Sequence, residues 1–181
     1  MGKKVVYMPS CYSTNGVASD LLKIQEIEEG TIIITDDQTS GRGQQGNYWE
    51  SDKGKNITCS LVLKPKALPL SDQFVLNMII SLGVADLVRE VLSMDAKVKW
   101  PNDVYCNEEK ICGILINSTV KGYILENSVV GIGLNVNQQH FVNTKATSLS
   151  LLSGNVTYQL PQILESLISS IEKRYFQWIN N

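Results

Sequence analysis

The chain has 181 residues, of which 43% are apolar and 19% charged, and its net charge is −2. Those proportions exclude a disordered chain and are enough for one domain with a well-buried core. The slightly acidic balance excludes a broad nucleic-acid footprint and leaves room only for a local basic cluster.

The opening "MGKKVVYMPSCYST" has a lysine pair but no long apolar run behind it, so no secretory leader is visible. "VVYM" (Val5 to Met8) reads as a short strand. "STNGVASDLLKIQ" follows, with Ser13 or Thr14 placed to cap a helix that begins near Asn15. "TIIIT" is a continuous β-branched run and reads as a buried strand. A polar, glycine-studded loop comes next. "NITCSLVLKP" then alternates, with Ile57, Cys59, Leu61 and Leu63 on one face, and stops at Pro65.

Residues 72–92 predict a long helix buried on most of its circumference. Its uncharged stretch from Gln73 to Ala85 falls short of the roughly 20 residues a membrane-spanning helix needs. "AKVKW" is a strand ending at Pro101, and "PNDVYCNEEK" holds a turn, a short strand and a hairpin tip at Asn107 to Glu109. "KICGILINSTV" and "YILENSVVGIGLNVN" predict two strands joined by a turn at "KGY", and residues 138–147 read as loop. The final helix carries Leu160, Ile163, Leu164, Leu167, Ile168, Ile171, Tyr175 and Trp178 at helical spacing, with Pro161 in its first turn. Hairpins join several of the clustered strands. The expectation is an α+β fold, a mixed and largely antiparallel sheet with helices on one face. Trp100 is expected in the core.

Cys11, Cys59, Cys106 and Cys112 form no C-x-x-C pair, and His140 is the only histidine. Zinc spacing is therefore absent, and the cysteines read as reduced cytosolic thiols packed as small hydrophobes.

The glycine loop, "GRGQQGNYW", contains Gly41, Gly43 and Gly46 in a G-x-G-x-x-G spacing. A dinucleotide site would need a helix after the third glycine and an acid some 20 residues on. "NYWESDKGKN" has no helical period, and "LKPKAL" has no acid. A phosphate loop would need Lys and Ser or Thr after Gly46, where Asn47 and Tyr48 stand. Two readings remain: a surface loop whose glycines only serve turns, or a cover that orders over a ligand. In the second, backbone N–H groups and Arg42 face an anion, and Trp49 supplies an apolar plate. Read alone, Lys110 is a solvated lysine on a hairpin beside Glu108 and Glu109, and Asp103 is a turn-forming residue before a strand.

Five segments in order decide between these readings. "STN" (Ser13 to Asn15), "GRGQQGNYW" (Gly41 to Trp49), "KWPND" (Lys99 to Asp103), "KICGIL" (Lys110 to Leu115) and "GIGLN" (Gly131 to Asn135) resemble the motifs of biotin protein ligases. The resemblance spans about residue 5 to residue 178. It implies a fold related to class II aminoacyl-tRNA synthetase cores and lipoate ligases. It also implies a two-step reaction. Biotin and ATP give biotinyl-5′-AMP and pyrophosphate, and a lysine of an apo biotin carboxyl carrier protein domain then takes the biotinyl group.

The resemblance further implies residue roles. Lys110 would stabilise charge on both the biotin carboxylate and the α-phosphate, with Arg42 and Asp103 completing the catalytic set. Asp103 would steer or deprotonate the incoming lysine and is a candidate for helping to place Mg²⁺, which otherwise rides on phosphate oxygens. Ser13, Thr14, Asn15 and Gln38 would bind the ureido ring of biotin, with Gly41, Arg42, Gly113 and Gly131 at the ligand. Gly43, Gln44, Gly46, Trp49, Lys99, Asn102 and Asn135 would contact the nucleotide. Gln44 and Gln45 stand where relatives often carry a basic residue, so retention of the adenylate is expected to be weaker.

The whole chain, 1–181, reads as one catalytic domain, without an N-terminal DNA-binding domain or a C-terminal small β-barrel, leaving Trp178 and Ile179 without a downstream partner. The expected setting is cytoplasmic, with no nucleic-acid or membrane partner, and an edge strand offers a place for a homodimer. The alternatives are lipoate or octanoate transfer on the same core, and a biotin or adenylate sensor that no longer transfers.

Overall fold

The structure, a computed structural model, describes residues 1–66 and 68–180. Seven strands form one sheet: β1 (Val5–Met8), β2 (Ile32–Thr35), β3 (Ile57–Leu63), β4 (Ala96–Lys99), β5 (Asp103–Cys106), β6 (Glu109–Lys121) and β7 (Ile124–Leu134). Their spatial order is β1-β2-β3-β7-β6-β5-β4. β1 and β2 run parallel, because helix α1 (Thr14–Ile24) carries the chain back between them, and the other neighbours are antiparallel. The hairpins form where the sequence places turn residues. Asn107 and Glu108 adopt φ of 49° and 64° at the β5–β6 tip, and Gly122 turns β6 into β7 with φ of 62°.

Helices α2 (Phe74–Leu92) and α4 (Leu160–Ile179) cover one face of the sheet. They lie close because Gly83 has no side chain; a Cβ there would stand 2.8 Å from the Cα of Ile171. Ile57, Cys59, Leu61 and Leu63 of β3 point into this layer, as their alternation predicts, and meet Ile80, Val84, Leu87 and Leu167 in the core. Burying one such aliphatic side chain contributes about 1.5–3 kcal/mol. A charged clamp joins the two helices outside the core. The Arg174 guanidinium donates from Nε and one terminal nitrogen to Asp86, at 2.6 and 3.0 Å, and holds that carboxyl below the usual carboxylate range.

The mixed α+β sheet is as expected, with one difference in the helical layers. α1 packs on the opposite face, where Ala18, Ile27, Ile33, Val62 and Val129 make a second, smaller cluster. β3 is consequently buried on both sides, Thr58 and Ser60 included, although its alternation reads as one-sided. Trp100 is also not in the core. It is 74% exposed beyond the end of β4, with its ring 5.8 Å from that of Phe74. Trp178 does find partners, packing against the main core with its ring 5.9 Å from Tyr175, whereas Ile179 is half exposed. The loop expected over 138–147 leads into a one-turn helix α3 (Leu149–Leu152), capped by the Ser148 hydroxyl accepting from Leu151 N at 3.2 Å.

Candidate functional site

Strand register builds the floor of the site. Residues paired across neighbouring strands share a face, so two rows run across the sheet on the α1 side. One is Thr58, Gly133, Gly113 and Asp103; the other is Ser60, Gly131 and Leu115. The glycines make the floor hollow and let other groups lie directly on the backbone. A Cβ at Gly131 would collide with the Asn15 amide, and one at Gly133 with the Trp49 ring. At Gly113 it would stand 2.8 Å from that same ring.

Lys110 reaches this face through an irregularity. It lies three positions before Gly113, and strict alternation would send its side chain to the other side. The register shifts between Val104 and Tyr105, so Asp103 pairs with Gly113 while Tyr105 pairs with Lys110. Lys110 thereby joins the Asp103 face, and its Nζ donates to Asp103 Oδ1 at 2.8 Å. Both side chains are about one-quarter exposed, which shields the pair while leaving it reachable. The Lys110 backbone is held from outside the hairpin too. Its N–H donates to Lys145 O at 2.8 Å, and its carbonyl accepts from Thr147 N at 2.9 Å. The ammonium lies 5.6 Å from the centre of the Trp49 ring.

The other wall is the N-terminus of α1. Ser13 caps the helix, accepting from Gly16 N at 3.4 Å. Thr14 N donates to Gln38 Oε1 at 2.9 Å. Asn15 Nδ2 donates to Leu115 O and to Asn117 Oδ1, both at 3.0 Å. Asn102 lies opposite, with Nδ2 donating to Ile114 O at 2.6 Å and its carbonyl accepting from Ile114 N at 2.9 Å. Those two bonds peg the turn before β5 onto β6 and use one of the two N–H groups of the Asn102 amide.

The glycine loop folds over this hollow as a small hairpin. Gly43 N donates to Asn47 O at 2.6 Å and Trp49 N to Gly41 O at 3.2 Å, around a 3₁₀ turn at Gln44–Gly46. Gly46 sits at φ of 81°, a conformation that suits glycine. Gly41 is buried; a Cβ there would stand 2.6 Å from the backbone oxygen of Trp49 and 3.0 Å from Gln38 Nε2. The loop's far end is tied down by Asp52 N donating to Gln138 Oε1 and Val142 N donating to Glu50, each at 2.9 Å.

Together these elements enclose a cavity of about 330 Å³. Of the expected site residues, Ser13, Thr14, Asn15, Gln38, Arg42, Gly43, Gln44, Trp49, Asn102, Asp103, Lys110, Gly113 and Gly131 line it. Gly46 borders an adjoining groove that Arg42 and Asn117 share. Three residues do not line the cavity, the first being Gly41, which is buried against the Trp49 backbone and the Gln38 amide. Lys99 pairs with Asp103 on the same face, but its Nζ turns away to the Tyr105 ring, 4.9 Å from the centroid. Asn135 is buried and donates to Thr147 O at 2.9 Å, beside the cavity rather than in it. The Gln45 side chain lies outside the described residues.

Reading of the sequence missed Thr58, Gly133, Leu115 and Tyr48, which line the cavity, and Ser60, which lies beneath it. A signal was present for three of them. Thr58 and Ser60 are the polar positions of an otherwise apolar alternating strand, and Gly133 stands two residues after Gly131, on the same face.

Among the described residues Arg42 has no carboxylate within ion-pair distance, so two cations face the cavity: Arg42, free, and Lys110, held by Asp103. Cys59 also borders it, but burial pushes its thiol up to about 12, so it is neutral and no nucleophile. Among the described residues no three His, Cys, Asp or Glu side chains gather into a metal cage. The arrangement suits two anions brought together at Lys110 and a neutral polar group held at the α1 end.

Residues 7–135 match the model of the biotin/lipoate A/B protein ligase family. The chain is 31% identical to the bifunctional ligase/repressor BirA of Bacillus spizizenii, an alignment that covers 100% of this chain and 56% of that protein. It is 31% identical to the biotin–[acetyl-CoA-carboxylase] ligase of Mycobacterium tuberculosis over 84% of this chain and 56% of that one. The solved structure of the biotin protein ligase from Aquifex aeolicus in complex with biotin and ATP is similar at a TM-score of 0.80 and 28% identity, covering 95% of this chain and 70% of that chain. The chain spans about half the length of the curated relatives it matches.

Proposed function

Because this chain belongs to the biotin/lipoate A/B protein ligase family, we propose that it activates biotin with ATP and transfers the biotinyl group to a lysine of an apo biotin carboxyl carrier domain. The observation that carries the reading is the Lys110–Asp103 pair, 2.8 Å apart, at one end of a cavity walled at the other end by Thr14, Asn15 and Gln38.

In the first step a carboxylate oxygen of biotin attacks the α-phosphorus of ATP, and the bond to pyrophosphate breaks. Two anions must meet, so charge stabilisation is the main demand. The Lys110 ammonium, fixed by Asp103, lies where it can face both. Arg42 and the backbone of Gly43 and Gln44 cover the mixed anhydride so formed, and the loop keeps water from it. In the second step the carrier lysine attacks the acyl carbon as a free amine, the bond to AMP breaks, and Asp103 takes the ammonium proton. The α1 wall, with the edges of Gly113 and Gly131 that line the cavity, binds the ureido ring, and Trp49 gives the nucleotide an apolar plate. Lys99 and Asn135 have no part in this reading, since each is engaged elsewhere. Mg²⁺ comes with the triphosphate as part of the substrate and needs few carboxylates of its own.

The reading keeps the cytoplasmic setting, without nucleic-acid or membrane partner, and puts a homodimer contact at an edge strand. Among the described residues no helix is long and apolar enough to cross a membrane. The test is incubation of the purified chain with ATP, Mg²⁺, labelled biotin and an apo carrier domain. Carrier labelling is the expected result. Adenylate without transfer, or transfer of lipoate in place of biotin, overturns the reading.

A further inference from the structure

We propose that Ser60 is a positioning residue whose single proton sets the polarity of the Thr14 hydroxyl, and so makes that hydroxyl an acceptor for an N–H group of the ligand's cyclic urea. The inference rests on the biotin reading above and deepens it.

Ser60 lies mid-strand in β3, opposite Gly131, with its side chain fully buried beneath the hollow floor. Its Oγ is 2.6 Å from Asn15 Oδ1 and 2.8 Å from Thr14 Oγ1. One hydroxyl carries one proton, so it cannot donate to both. The Asn15 side of this choice is decided by its neighbours. Asn15 Nδ2 points at two acceptors, Leu115 O and Asn117 Oδ1, which makes the atom facing Ser60 the amide oxygen. An amide oxygen only accepts, so the Ser60 proton goes to Asn15. The contact to Thr14 is then a hydrogen bond in one direction alone, with Thr14 donating to Ser60.

Two consequences follow for the cavity wall. The Thr14 proton points inward, and its hydroxyl offers the cavity lone pairs. Its 3.4 Å approach to Gln38 Oε1 is too long to compete with the 2.8 Å bond. Gln38 in turn has its carbonyl taken by Thr14 N at 2.9 Å, so its amide NH₂ is left as the donor. The wall therefore presents an acceptor at Thr14 and a donor at Gln38. A cyclic urea carries the complementary pair, an N–H donor beside a carbonyl acceptor. Ser60 touches no ligand in this scheme; it fixes the wiring from behind.

The test uses biotin and an N-methylated biotin in a pyrophosphate-release assay. Ser60→Ala frees the Thr14 proton to turn into the cavity, donor against donor. The expected result is a KM for biotin raised on the order of tenfold, with kcat within about twofold and reduced discrimination against the methylated analogue. In a Thr14→Val background the same Ser60→Ala change should raise KM by less than about twofold, because the group it acts through is gone. An unchanged KM and unchanged discrimination in Ser60→Ala overturns the inference, as does an undiminished effect in the Thr14→Val background. If Ser60→Ala does not fold, Thr14→Ser and Thr14→Val carry the test, and an equal KM for biotin with equal discrimination in the two overturns the inference. A wild-type chain that releases no pyrophosphate with biotin overturns the functional reading itself, a result seen before any variant is compared.

Discussion

The two faces of strands β3, β7 and β6 are made from the same residues read alternately, yet they are built for opposite ends. On the α2–α4 side Leu61, Val130 and Ile132 fill space completely. On the α1 side Gly131, Gly133 and Gly113 let the Asn15 amide and the Trp49 ring lie on the bare backbone beside the cavity, and Ser60, Thr58 and Asp103 put polar atoms around it. The first face supplies the stability that lets the second keep a hollow, polar floor. A sheet buried on one side by two long helices can carry unfilled space and a charged pair on the other.

The sharpest break in that comparison is Lys110→Ala. Adenylate formation should fall at least about 10³-fold, the scale of removing a main electrostatic contact, while the melting temperature shifts by only a few degrees. Near-normal pyrophosphate release in that variant would refute the central role of Lys110. Leu61→Ala should do the reverse, costing about 3 kcal/mol of stability by urea unfolding with the KM for biotin unmoved. Gly131→Ala tests whether the hollow itself matters. The new methyl collides with Asn15, so about 2 kcal/mol of stability and on the order of tenfold in biotin KM should be lost together. A KM equal to wild type would show that the floor is deeper than the ligand needs.

A smaller effect belongs to the apolar side. Arg174 and Arg89 hold the Asp86 carboxyl below its ordinary range. A carboxyl whose folded pKa is lowered adds stability that is complete above its unfolded pKa, about 3.9, and is lost as pH falls through the folded value. Acid unfolding of wild type should therefore steepen below about pH 4, and Asp86→Asn should lose about 1–2 kcal/mol at neutral pH and show less of that acid dependence. Smallest in energy is the opening of the loop over residues 41–53. Amide exchange there should be fast in the empty protein and slow with biotin and ATP bound; strong protection without ligand would sink the cover idea.

Most strands and the long helices were legible because their periods are long and regular. No period marks Lys110, Asp103, Arg42 or the α1 wall; the resemblance of five short segments singled them out, and the fold brings them round one cavity. Trp100 misled because an indole reads as core wherever it stands, and only the end of β4 and the turn at Pro101 leave it outside. Lys99 ends β4 and Asn135 directly follows β7, both within the quoted motifs, but Tyr105 and Thr147 engage their side chains. Ser60 stands on the face of β3 opposite Ile57, Cys59, Leu61 and Leu63, and only the packing of α1 over that face buries it against Thr14 and Asn15.

Local chemistry, then, was enough to determine most of the elements and the turn positions, since each depends on neighbours within a few positions of the chain. Tertiary structure decided the face on which α1 lies, the register shift that turns Lys110 toward Asp103, and the pairing of Ser60 with Gly131. Those depend on strands that are distant in sequence. One residue of slippage in pairing sends every side chain to the opposite face, and no periodicity within a single strand records which register its partner adopts.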